Sequence, residues 1–185
     1  MKEKILLIDV CVRKENSRTL ELAEYFLKDR EYTKLSLAEE TIKPLDNAGL
    51  DERNRLLQNG DFENDRFRYA RQFAQAEEIV IAAPYWDLSF PALLKTYIEN
   101  ICVLGVTFEY TSDGMPKGLC HARKLTYITT AGGCIPERNF GYDYVKELAE
   151  TFFGIKDIHC IKAEMLDVDG QNPQKILSDA KNKFF

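Results

Sequence analysis

An α/β three-layer sandwich, a five-stranded parallel sheet with helices on both faces, is the architecture this sequence predicts. Three observations lead there. Short apolar runs of strand length alternate with amphipathic helical stretches along the whole chain. Those runs are continuous rather than alternating, which marks strands buried on both faces. Right-handed crossovers then leave few arrangements other than a parallel sheet covered on both sides.

Each element follows in order. "KILLIDV" (Lys4–Val10) reads as the first strand, and "SRTLELAEYFLKD" as a helix with Leu20, Ala23, Phe26 and Leu27 on one face. "EYTKLSL" is a second, weaker strand. The charged stretch from Ala38 to about Asp61 is expected to be irregular, with a short helix near "DERNRLLQ". A helix over 62–75 turns Ala70, Phe73 and Ala74 inward, and "EIVIAA" (Glu78–Ala83) is the third strand. After the corner "PYWDLSF" comes a helix with Leu94, Tyr97, Ile98 and Ile101 at i, i+3, i+4, i+7. "VTFEYT" and "SDG" form a small extended excursion closed by a turn. "KLTYITTAGG" is the fourth strand, running into paired glycines. "DYVKELAETFFG" is a helix turning Val145, Leu148, Ala149 and Phe152 inward, with Gly154 as its C-cap. "IHCIKAEML" is strand five, and "PQKILSDAKNKFF" (173–185) the last helix. Five strands fit the flavodoxin-like order 2-1-3-4-5, and no G-x-G-x-x-G follows the first of them.

Composition narrows the classes further. A chain of 185 residues is expected to form a single domain over 1–185. Its formal charge of −5, with acids and bases interleaved, leaves no basic stripe for nucleic acid. The five cysteines are scattered without CxxC spacing, and the two histidines have no metal-type spacing, so no metal is expected. No apolar run reaches the roughly 20 residues of a membrane span, and "ILLI" is too short for a secretion signal. The expected location is the cytoplasm.

In an open parallel sheet, ligands bind beyond the carboxyl ends of the strands, where the strand order reverses. Three loops end there: "CVRKENSRT", "PYWDLSF" and "TTAGGC". In the first, Ser17 and Thr19 at a helix start and Arg13 before it suit either an anion or plain helix capping. In the second, Tyr85 and Trp86 either line a flat heteroaromatic ligand or pack into the protein. In the third, Gly132 and Gly133 either admit a ligand close to the backbone or make an ordinary tight turn. The functional case rests on the three loops meeting.

These stretches also carry a resemblance. "CVRKENSRT" resembles the S-x-R-x-x-x-S-x-(S/T) phosphate loop of FMN-dependent NAD(P)H:quinone oxidoreductases and azoreductases, in the flavodoxin-like superfamily. "APYWDLSFPALLKTYIEN" is similar to that family's third-strand loop and helix start. "GVTFEYTSDGMPKGL" (Gly105–Leu119) resembles its G-V-T-F-x-Y-T…G-L segment, and "TTAGG" its T-S-x-G-G turn. The resemblance spans nearly the whole chain. Cys11 stands where the phosphate loop normally has serine, Asp87 where asparagine is usual, and Ala131 where a polar side chain is common.

The resemblance implies an enzyme with noncovalent FMN and NADH or NADPH as electron donor. Two electrons would pass by ping-pong hydride transfer to a quinone or azo acceptor. It implies that Cys11, Arg13, Ser17, Arg18 and Thr19 hold the cofactor together with Pro84, Tyr85, Trp86, Asp87 and Leu88, and with Thr130, Ala131, Gly132 and Gly133. Tyr85, Trp86 and Tyr110 would shape the substrate slot. Backbone N–H groups of Trp86, Asp87 and the glycine turn would donate to the flavin, and no side-chain acid or base is expected to be catalytic. Family members are usually homodimers with flavin at the interface, so the 38–61 and 105–116 segments would close a partner's site. Two other classes fit the same residues: a flavodoxin-like electron carrier, and a binding module without flavin. Steady NADH oxidation with a quinone separates the first, and a protein that stays colourless with FMN marks the second.

Overall fold

The structure, a computed structural model, describes residues 4–182. Strand β1 (Ile5–Asp9) is followed by α1 (Arg18–Phe26), β2 (Tyr32–Ser36), α2 (Asn47–Gln58), α3 (Arg68–Gln75) and β3 (Glu78–Ala82). Then come α4 (Ala92–Ile101), β4 (Phe108–Tyr110), β5 (Pro116–Gly118), β6 (Lys124–Thr130), α5 (Tyr142–Leu148), β7 (Asp157–Ala163) and α6 (Pro173–Lys181). The last three positions of the expected final helix, 183–185, lie outside the described residues.

The main sheet has the order β2-β1-β3-β6-β7, all parallel, which is the expected 2-1-3-4-5 once the β4–β5 pair is set aside. The pleat sends alternate residues to opposite faces. Leu6, Ile8, Ile79, Ile81, Leu125 and Tyr127 join one core with residues of α3, α4 and α5. Ile5, Leu7, Val80, Ala82 and Ile128 join the other with residues of α1 and α6. That two-sided burial is why these strands read as unbroken apolar runs. In α4, Leu94, Tyr97, Ile98 and Ile101 are all buried, each contributing about 1.5–3 kcal/mol.

Several expectations need correction. The helix near "DERNRLLQ" is twelve residues long and starts at Asn47, because the Asp46 side chain accepts the Gly49 N–H at 2.8 Å. Leu56 is its one fully buried residue among those described, so no apolar periodicity announced it. The helix expected from Phe62 begins as a 3-10 turn at Asp65 and becomes α-helical at Arg68, with Asn64 capping the turn. After α5 the chain widens into a π turn over Ala149–Phe153 before Gly154 ends it at φ 74°. The wider turn shifts the inward face by one residue, so Phe153 is buried and Phe152 only partly so. The extended excursion closed by a turn stands as expected: β4 and β5 pair as an antiparallel hairpin.

Candidate active-site cleft

The order reverses between β1 and β3, and three loops do meet beyond the carboxyl ends there. They enclose a cleft of about 240 Å³. Of the predicted residues, Cys11, Arg13, Ser17, Arg18 and Thr19 line it from the first loop. Pro84, Tyr85 and Trp86 line it from the second, and Thr130, Ala131 and Gly132 from the third. Asp87, Leu88 and Gly133 belong to the same loops but lie off the lining.

The first loop is a 3-10 turn over Lys14–Asn16, closed by Ser17 N–H to Lys14 O at 2.8 Å. Ser17 then caps α1, its hydroxyl accepting the Leu20 N–H at 3.3 Å. A helix start leaves its first amides without intrahelical acceptors, so Arg18 and Thr19 present theirs toward the cleft end of α1. Thr19 and Thr130 share a hydroxyl–hydroxyl bond of 2.6 Å across the cleft floor, tying α1 to the end of β6. Only one proton lies between the two oxygens, so the other hydroxyl keeps its own to donate. Arg13 is exposed at the mouth and, among the described residues, has no acid partner.

The corner of three aromatics has an unexpected form. Trp86 and Ser89 exchange backbone bonds of 3.1 and 2.8 Å, making a two-residue turn. Asp87 and Leu88 occupy its tip at φ 50° and 67°. Both central residues are left-handed, the type I′ arrangement that asparagine and glycine ordinarily fill. A side chain there costs on the order of 1–2 kcal/mol per residue. Trp86 N–H is spent inside the turn, so it is not a donor to the cleft. That corrects the expectation for this amide. The Trp86 ring, 43% exposed, is not core, whereas Phe90 is half-buried beside the Tyr144 ring at 5.7 Å. Tyr85 turns its hydroxyl inward, where it is buried without a hydrogen-bond partner, and burial raises its pKa.

The third loop is pinned from behind. Leu166, Asp167 and Met165 donate their N–H groups to the carbonyls of Ala131, Gly132 and Gly133, at 3.2, 2.9 and 2.9 Å. A Cβ on Gly132 would lie 2.4 Å from Asp167 Oδ2, so a larger residue there would have to push the Asp167 side chain aside. Asp167 lines the cleft and was not foreseen. It follows β7 in an ordinary-looking acidic stretch, and only the fold sets it beside the glycines. Arg18 donates to it at 2.8 Å and to Leu166 O at 3.2 Å, closing a strap across the cleft. Cys11 is 2% exposed, and burial foremost, with Asp9 nearby, pushes its thiol up to about 12. It is a neutral wall.

Tyr110 is not brought to this cleft. It stands on the β4–β5 hairpin, edge-on to Phe108, which packs against Phe152 beyond the far end of α5. The ten-residue α4, about 15 Å long, separates the aromatic corner from the hairpin. Among the described residues no group of three or more His, Cys, Asp or Glu could hold a metal ion, and no helix is long and apolar enough to cross a membrane.

Comparison with known proteins places this geometry. A family described as having a flavodoxin-like fold matches residues 3–184. An FMN-dependent NADH:quinone oxidoreductase of Clostridium beijerinckii is 38% identical over 190 residues, covering 97% of this chain and 95% of that protein. One from Clostridium acetobutylicum is 36% identical over 194 residues, with the same coverage. Among solved structures, an azoreductase from Bacillus anthracis str. Sterne superposes with a TM-score of 0.84 at 22% identity, covering 98% of this chain and 96% of that one. An FMN-dependent NADH-azoreductase from B. anthracis str. Ames Ancestor, in complex with FMN, gives 0.83 at 22% identity, covering 98% and 95%. The chain therefore belongs to the flavodoxin-like family, among relatives named FMN-dependent NADH:quinone oxidoreductases.

Proposed function

We propose that this chain is an FMN-dependent NADH:quinone oxidoreductase whose cofactor sits noncovalently in the cleft at the β1–β3 reversal. The observation that carries the reading is the meeting of the three loops there, each with a different chemistry. The residues fit the group. At one end the α1 amides, the Ser17 and Thr19 hydroxyls and Arg13 suit a phosphate monoester. Beside them stand an exposed Trp86 ring and Gly132, which lacks a Cβ, suited to a flat ring.

A bound FMN would supply two-electron redox chemistry between NADH and a quinone or azo acceptor, used in ping-pong order. The chain holds, orients and shields. Thr19 and Thr130 fix the spacing between α1 and β6. The strained turn at Asp87 and Leu88 holds Trp86 at the mouth, where its ring borders the acceptor slot together with Tyr85. No side-chain acid or base is assigned. In net stoichiometry, NADH, one proton and quinone give NAD+ and quinol, so one proton would be drawn from solvent.

A cleft of about 240 Å³ is smaller than the roughly 300 Å³ at which whole-ligand pockets begin. A second copy would complete it. Val12, Trp86, Leu88, Phe140 and Tyr144 are exposed on the loops around the mouth and on adjoining α5, while Leu104, Tyr110 and Met115 are exposed on and beside the hairpin. In a homodimer the partner's hairpin, with Tyr110, would close the slot.

The test is an absorbance spectrum of FMN-loaded protein before and after anaerobic NADH. A flavin band that bleaches, then returns on adding quinone with steady turnover, is expected. A protein that stays colourless after incubation with FMN refutes the reading. A fully active monomer by light scattering refutes the dimer.

A further inference from the structure

Two carboxylates stand behind the anion-accepting end of the cleft, and the function proposed above uses neither. Asp9 ends β1 and is 4% exposed. Its Oδ1 accepts the Cys11 N–H at 2.9 Å, and its Oδ2 accepts the Ser36 hydroxyl at 3.0 Å. Lys34 Nζ lies 3.6 Å from Asp9 but 3.0 Å from Glu24, so one lysine is divided between two acids. Asp167, on the other side, accepts Arg18 Nη2 at 2.8 Å. Each carboxylate thus engages a donor of the first loop or of the α1 start, and each adds a negative charge there. Against them stands Arg13, without an acid partner among the described residues. Cys11 contributes no charge, being a thiol held neutral by burial.

We propose that Asp9 and Asp167 set how tightly the cleft grips a phosphomonoester, Asp9 by the negative charge it places behind the first loop and Asp167 by its charge together with its hold on the Arg18 guanidinium. The inference rests on the reading that a phosphate-bearing flavin occupies the cleft. The Arg18 bond to Asp167 is charge-assisted, so a ligand has to compete for the guanidinium. A dianionic phosphate is also repelled by both carboxylates across a partly desolvated loop. A flavin without phosphate feels neither effect. The two acids therefore act on discrimination: they lower the affinity for FMN relative to riboflavin and leave the ring end untouched.

The experiment titrates apo-protein with FMN and with riboflavin, following quenching of flavin fluorescence. It compares the wild type with Asp9→Asn, Asp167→Asn and Lys34→Met. Asparagine at position 9 keeps an acceptor for the Cys11 N–H and removes only the charge. The FMN-to-riboflavin affinity ratio is expected to rise about three- to tenfold in each asparagine variant, and the gain to shrink in molar salt. Lys34→Met uncovers the Asp9 charge and is expected to lower the ratio. A ratio within twofold of wild type in either asparagine variant overturns the assignment for that carboxylate. Should Asp9→Asn fail to fold, an unchanged ratio in Lys34→Met overturns it for Asp9. A wild type that binds neither flavin removes the FMN reading itself, which is a different result from binding without a change in ratio.

Discussion

Gly118→Ala is the substitution for which the structure gives the sharpest expectation. The hairpin of β4 and β5 touches the body of the protein through this glycine. A Cβ there would lie 2.2 Å from the Phe153 carbonyl carbon and 2.3 Å from both Phe153 O and Gly154 N. These are main-chain atoms at the end of the π turn, and the turn cannot yield easily. Gly154 closes it at φ 74°, and the Phe153 ring is packed on Phe73 at 4.6 Å. The hairpin must therefore lift by about 1 Å to reach ordinary contact. Overpacking costs about 1–3 kcal/mol. Lifting the hairpin also loosens Phe108, which is 7% exposed and stacked edge-on against Phe152. Together these give a loss of about 3 kcal/mol, or about 6–12 °C in Tm for a chain of this size. Gly133→Ala is the control: nothing lies within 4 Å of its would-be Cβ, so stability should stay within about 1 kcal/mol of wild type. Urea unfolding followed by circular dichroism, at one fixed protein concentration, measures both. A Gly118→Ala midpoint within about 0.5 kcal/mol of wild type would refute the backbone-contact argument.

Further expectations follow from the same coordinates. Tyr97 is buried with its hydroxyl unpartnered, so Tyr97→Phe should leave stability unchanged or raise it by about 1 kcal/mol, seen as a shift in the urea midpoint. Glu78 is 3% exposed and paired with Arg30 at 2.5 Å; Glu78→Ala strands part of that charge and should cost about 3 kcal/mol in the same assay. Cys134 is the exposed cysteine, so a thiol reagent at neutral pH should show one fast reaction, abolished by Cys134→Ser. Burial raises Cys11 and Cys120 to about 12, and Cys102 and Cys160 to about 11, from 9.0. The unfolded chain then loses these protons before the folded one does. Stability from this source is complete below pH 9 and declines as pH rises toward 11–12, which thermal melts at stepped alkaline pH would record.

Parallel strands buried on both faces write themselves as apolar runs, and β1, β3 and β6 stand within a residue or two of where those runs lie. The four inward residues of α4 are likewise visible as spacing. The three loops could be assigned to one end of the sheet because a parallel α/β chain has one place where its order reverses. The sequence by itself thus determined the layers, the strand order and the neighbourhood of the cleft.

Other features belong to the tertiary structure alone. The apolar pattern cannot show that Asp87 and Leu88 take left-handed backbone, since the reciprocal bonds of Trp86 and Ser89 impose it. Nor can it show that a π turn rotates Phe153 inward in place of Phe152. Asp167 and Gly132 are distant in sequence, and the loop after β7 has to fold along the loop after β6 before carboxylate and glycine touch. Tyr110 is the converse case, a residue joined to the cleft by motif but separated from it by the length of a helix. Periodicity reports which face of an element is dry, because burial repeats along it. It does not report which polar atoms meet, because those meetings depend on loop paths that no local repeat encodes.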